Sequence, residues 1–92
     1  MIDMTDYKYK PIKDVMEEVM KMVKEIPDFP QDIEILSAQI TVDNEGKQNL
    51  LITFIKNDIL DAFFHEIVDN LENMIKMALE FIKDVEEEVE EE

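Results

Sequence analysis

Hydrophobic positions along the chain fall into three blocks with different periods. In the first, Ile12, Val15, Met16, Val19, Met20, Met22, Val23 and Ile26 recur three and four residues apart, the stripe that buries one side of an amphipathic helix. Pro11 stands where a first helical residue is favoured, because its missing N–H would be unpaired there in any case. A helix is therefore predicted over residues 11–26. Pro27 disfavours helical geometry at Ile26, and Pro27-Asp28-Phe29-Pro30 closes the helix as a rigid loop. Residues 1–10 read as an N-terminal arm, in which Tyr7 and Tyr9 alternate with Lys8 and Lys10 as in a short extended edge.

From Asp32 the period changes to two. Leu36, Ala38, Ile40 and Val42 alternate with Ser37, Gln39 and Thr41, and Leu50, Ile52 and Phe54 return on one face. Asp43-Asn44-Glu45-Gly46 is the turn between them, and it holds the only glycine, where a positive φ is easiest to adopt. Pairing Ile40 with Leu50, Ala38 with Ile52 and Leu36 with Phe54 gathers the large apolar groups on one side and predicts a β-hairpin over residues 32–56. Ile33, Ile35, Leu51 and Ile55 then project from the other face, which needs a second cover.

In the third block the helical period returns. Leu60, Phe64, Ile67, Val68, Leu71, Met74, Ile75, Ala78, Leu79, Ile82, Val85 and Val89 follow one another without proline or glycine. Asn57 or Asp58 can cap this segment. A helix over residues 58–90 would be a rod of about 45 Å, against about 24 Å for the first. Ile59, Phe63, Met77 and Phe81 widen its apolar arc. The predicted fold is a single α+β domain, α-β-β-α, over residues 1–92. Surplus apolar surface points to a homodimer, with Ile33, Ile35, Leu51, Ile55, Phe63 and Phe81 as interface candidates. The alternative is a monomer whose N-terminal arm folds over these patches.

Charge changes the picture most. The 92 residues include twenty-four acids against nine lysines and no arginine, a formal charge of −15. Residues 57–92 hold thirteen of the acids and only Lys76 and Lys83. On a continuous helix Asp58, Asp61, Glu66, Asp69, Glu72, Glu80, Asp84 and Glu87 would lie opposite the core, interrupted by His65, Lys76 and Lys83. Residues three or four apart on a helix have Cβ atoms about 5–6 Å from one another, comparable with the spacing of phosphates along DNA. Like charges so placed destabilise a helix slightly, so stability alone does not account for the row. The glutamates from Glu86 onward oppose the helix macrodipole at its C-terminus, and fraying is expected there.

The same composition excludes several classes. Hydrophobic residues make up 46% of the chain, too many for a charge-expanded disordered polymer. No apolar run approaches a membrane span and no signal peptide is read. Without cysteine there are no disulfides or thiolate metal sites, which fits a cytoplasmic protein. Direct nucleic-acid binding fails on electrostatics. His65 is the only imidazole and Ser37 the only serine, and nothing pairs them as nucleophile and base. The acids of Asp43-Asn44-Glu45-Gly46 fall on the wrong offsets for a calcium loop, with Ile52 where its bidentate glutamate would stand. The methionines at helical spacing read as core. No catalysis, cofactor or metal is expected.

Length, acidity, the lack of arginine and the acidic segment from Asp58 to Glu90 together resemble the phage DNA-mimic proteins. More narrowly, the chain is similar to the anti-restriction nuclease (Arn) family of T-even phages. The resemblance spans the chain but rests on no short motif, so no residue role transfers by position. It implies a homodimer in the host cytoplasm that occupies the DNA-binding site of a modification-dependent restriction nuclease of the McrBC type. Nucleoid proteins such as H-NS are a further implied target class. Another reading is an acidic dimeric chaperone of the secretion type, holding a client on an apolar patch.

Overall fold

The period-two block forms the centre of the protein, and it recruits a strand from each side. In a computed structural model that describes residues 10–90, with side chains as far as Asp84, the chain runs β1 (Lys10–Asp14), α1 (Met16–Glu25), β2 (Ile33–Val42), β3 (Gln48–Lys56), β4 (Ile59–Glu66) and α2 (Leu71–Glu90). The four strands make one antiparallel sheet in the order β1-β2-β3-β4. Both helices pack on one face of it, so the fold is α+β in two layers.

The hairpin keeps its predicted register next to the turn, with Ile40 opposite Leu50 and Ala38 opposite Ile52. At the turn, Asp43 Oδ1 accepts the N–H groups of Glu45 and Lys47, each at 2.9 Å, and Gly46 adopts φ +85°. The expected Leu36–Phe54 pair does not form. A β-bulge between Ile35 and Ser37 makes Leu36 the extra residue and puts Ile35 opposite Phe54. One inserted residue reverses the inward and outward parity of everything before it. Ile33 and Ile35 therefore enter the core, each 7% exposed, while Leu36 is left 43% exposed. As dimer-interface candidates, Ile33 and Ile35 are corrected to core residues.

The predicted helix over residues 58–90 is also corrected. Its first part is strand β4, and helix begins only at Leu71. Asn57 and Asp58 do not cap a helix. Their φ values of +53° and +65° make them the two central residues of a tight hairpin turn, a role Asn and Asp tolerate well. The segment Ile59–Glu66 satisfies a helical stripe and a strand equally on paper. Pairing decides, because as a helix it would leave the outer N–H and C=O groups of β3 without the ladder β4 supplies. Asn70 is the true cap of α2, its Oδ1 accepting the N–H of Asn73 at 2.8 Å. The α2 rod is thus about 30 Å rather than 45 Å long.

At the other end, residues 10–14 pair with β2 instead of starting the first helix. Pro11 is tolerated there because β1 is an edge strand. Ile12 falls at an irregularity between Pro11 and Lys13 and is 51% exposed. Asp14 Oδ1 accepts the N–H of Met16 at 2.8 Å, and the Val15 N–H donates to the Ala38 carbonyl at 2.9 Å, tying the strand-to-helix corner to β2. Helix α1 ends before Pro27 as the sequence predicts, with Ile26 extended at ψ 103°. The rest of the N-terminal arm, residues 1–9, lies outside the described residues.

The core lies between the layers. Val15 and Val19 from the α1 side and Met74, Ile75, Ala78, Leu79 and Ile82 from α2 meet Ala38, Ile40, Leu50, Ile52, Phe54 and Phe63. Phe63 is 8% exposed and, like the two isoleucines, is corrected from interface candidate to core. Among the described residues no helix is long and apolar enough to cross a membrane. Lys56, opposite Ile33 and 7% exposed, is the anomaly. Its Nζ is buried with no hydrogen-bond partner among the described residues.

Two substitutions test this packing in urea. Ile35→Ala is expected to cost about 2–4 kcal/mol, as for other core truncations; a cost near zero would mean the bulge does not turn Ile35 inward. Lys56→Met is expected to raise stability by about 1–2 kcal/mol, since it removes an unsatisfied buried donor. A loss of stability would show that the ammonium has a partner.

Candidate interaction surface

The two faces of the molecule differ in charge because the strands sort their residues by parity. On β4, Ile59, Asp61, Phe63 and His65 lie on the helix-covered side, whereas Leu60, Ala62, Phe64 and Glu66 lie on the open side. The pairs Leu51–Phe64, Thr53–Ala62 and Ile55–Leu60, with Ser37 and Gln39 from β2, give the open face a centre without a single charged side chain. Leu60 is 65% and Phe64 41% exposed. Glu34 and Glu66 stand at its rim, and Thr41 and Asn49 are buried at the corner nearest β1.

Charge gathers instead on the helix layer and along its flanks. Exposed Glu17, Glu18 and Glu25 on α1 face solvent with Glu72, Glu80 and Asp84 on α2. A groove of about 450 Å³ between the helices is lined by Glu18, Glu25 and Glu72 with Lys21 among them, over a floor that includes Met22 and Ile75. On the opposite flank of α2, the Phe81 ring meets Phe63 at 5.5 Å. That contact joins α2 to β4 on the helix-covered side. His65 is on β4 rather than on a helix, stacked on Phe63 at 6.2 Å, with Nδ1 2.9 Å from the Glu66 carbonyl oxygen.

The expected single file of carboxylates is therefore divided. Asp58 occupies the β3–β4 turn, Asp61 and Glu66 point to opposite sides of β4, and Asp69 lies in the loop before α2. Glu72 faces the α1 groove, while Glu80 and Asp84 face outward. The side chain of Glu87 lies outside the described residues. All but Glu66 of the described seven are exposed, but no one edge displays them at a regular phosphate-like interval. The cause is β4, which removes the first third of the expected rod. Of the interface candidates, Leu51 and Ile55 are on the open sheet face as expected, and Phe81 is 53% exposed beside β4. Leu60, Ala62 and Phe64, read from the sequence as part of a helix, are the surface residues it missed. The turn pair Asn57-Asp58 was the available signal.

Little of the negative charge is compensated. Lys47 lies 3.8 Å from Glu45 and 3.9 Å from Glu66, and Lys83 lies 2.8 Å from Asp28; these are the ion pairs among the described residues. The Lys83 hydrogen bond, helped by the Asp28 backbone and the lysine charge, holds the Asp28 carboxyl below its ordinary value. The same bond raises Lys83 against the opposing effect of burial, with Asp84 and Glu80 adding to it. Among the described residues no group of three or more His, Asp or Glu is placed to hold a metal ion. Comparisons with protein-family models, curated proteins and solved structures return no match.

The pair that fastens α2 to the loop after α1 has a defined pH window. Because Asp28 is depressed, its contribution is in place at neutral pH and lost as pH falls through the lowered carboxyl value. Because Lys83 is raised, the contribution disappears at the alkaline end only as pH passes that raised value. In Lys83→Met, side-chain NMR titration of Asp28 should move its midpoint up to the ordinary aspartate range. An unmoved midpoint would remove Lys83 as the cause.

Proposed function

We propose that the chain is a non-catalytic DNA-mimic inhibitor whose acidic surface occupies the DNA-binding site of a basic nucleic-acid-binding protein. One observation carries this reading: residues 10–84 hold sixteen acids against eight lysines, and among the described residues only Lys47 and Lys83 are engaged in ion pairs. A surface with twice as many acids as lysines on a packed scaffold steers basic proteins toward it over long range, as a phosphate backbone does. The mimicry is one of charge density, spread over the helix layer and the β4 flank, and not of a linear phosphate repeat. The family resemblance suggests a modification-dependent restriction nuclease of the McrBC type and nucleoid proteins such as H-NS as targets. Such an inhibitor acts in the cytoplasm, of the host cell if the chain is phage-encoded.

A second reading, an acidic chaperone of the secretion type, is favoured by the uncharged open sheet face, which offers a client apolar surface. Salt separates the two. Inhibition of a purified McrBC-type nuclease or displacement of H-NS should weaken steeply as ionic strength rises and should be competed by duplex DNA. Client capture on an apolar face should scarcely respond. The triple change Asp61→Asn, Glu80→Gln and Asp84→Asn is expected to weaken inhibition at least tenfold with circular dichroism unchanged. Full inhibition by that variant would exclude the β4 flank and α2 as the acting surface.

A further inference from the structure

We infer that the groove between α1 and α2 takes a short cationic amphipathic helix of the basic partner, with one arginine set between Glu25 and Glu72. The inference rests on the reading of the chain as an inhibitor of a basic protein, and it names the element of that protein which is held. The hollow of about 450 Å³ bounded by Glu18 and Met22 of α1 and by Leu71 and Ile75 of α2 is its first half. A second hollow of about 480 Å³ carries the groove on toward Ile26 and Leu79. Met22, Glu25 and Glu72 border both hollows, so two carboxylates from opposite walls stand at the middle of the groove beside a half-buried methionine. From Glu18 to Ile26 along α1, and from Leu71 to Leu79 along α2, the groove runs for about 12 Å, or about two helical turns.

Floor and walls together select the occupant. Ile75 and Leu79 are buried, Ile26 and Leu71 are half-buried, and Met22 is a side chain that adapts to varied partners. Glu25 and Glu72 are exposed, and neither belongs to the ion pairs among the described residues, which are those of Lys47 and Lys83. An apolar floor between anionic walls is the complement of a helix with apolar anchors three and four residues apart and cations beside them. Arginine suits the middle position best. Its stem lies on the methionine while its planar fork donates to carboxylates on two sides. Lys21 and Lys76 also border the groove, so the occupant carries its cations opposite Glu25 and Glu72 and none opposite these lysines. A second copy of the chain, at −15, would set more carboxylates against Glu25 and Glu72 and is the poorer fit.

Fluorescence anisotropy with a labelled, end-capped probe helix tests this. The probe has leucines three and four residues apart with arginines beside them; one control replaces the arginines by glutamine and another the leucines by serine. The probe should bind the full chain, each control roughly tenfold more weakly, and the Met22 methyl resonance should shift as the probe is added. Glu25→Gln with Glu72→Gln should weaken probe binding roughly tenfold, and Lys21→Gln should tighten it about twofold, with circular dichroism unchanged because these side chains are exposed. No binding, a Met22 resonance that stays in place, or equal affinity for the serine control would each overturn the inference. Nuclease inhibition by the two sets of variants separates it from the reading beneath it. Inhibition weakened by Asp61→Asn, Glu80→Gln and Asp84→Asn but untouched by Glu25→Gln with Glu72→Gln would overturn the groove and leave the inhibitor standing. Probe binding that depends on Glu25 and Glu72 in a chain that inhibits no basic protein would keep the groove as a helix-binding site and remove the inhibitor reading.

Discussion

The fold depends on the pairing of β3 along both of its edges. Leu50, Ile52 and Phe54 on this strand are among the most buried residues of the protein, and a strand so enclosed cannot leave its N–H and C=O groups to water. β2 satisfies one edge through the turn at Gly46, and β4 satisfies the other through the turn at Asn57-Asp58. With β4 in place the sheet is wide enough for two helices side by side. α2 joins the helix layer, with Phe81 against Phe63 of β4 and Lys83 bonded to Asp28 in the loop after α1.

The bulge at Leu36 has the second largest consequence. Strict alternation would have put Ile33 and Ile35 on the open face with Leu51 and Ile55, making that face more apolar and the core smaller. One additional residue moves two isoleucines beneath the helices and exposes Leu36 instead. The open face consequently carries fewer apolar side chains than strict alternation would have given it.

Charge follows the same division. Acids are tolerated on the helix layer and the flanks, where solvent screens them, and they are absent from the centre of the open face. The acidic positions and the uncharged centre of the sheet face are therefore separate surfaces.

Several features were decided locally and are legible in the sequence. The stripe through Val15, Val19 and Val23 gives α1, Pro27 ends it, and Asp43 with Gly46 makes the turn whose neighbours Ile40–Leu50 and Ala38–Ile52 take the expected register. The acidity, and with it the expectation against direct nucleic-acid binding, is a property of composition. The β-bulge, the strand nature of Ile59–Glu66 and the dispersal of Asp58, Asp61 and Glu66 away from Glu72, Glu80 and Asp84 were decided only in the tertiary structure. A segment whose apolar residues suit both a helix and a strand takes the form that completes its neighbours' hydrogen bonds, and those neighbours are distant positions that periodicity within the segment does not contain.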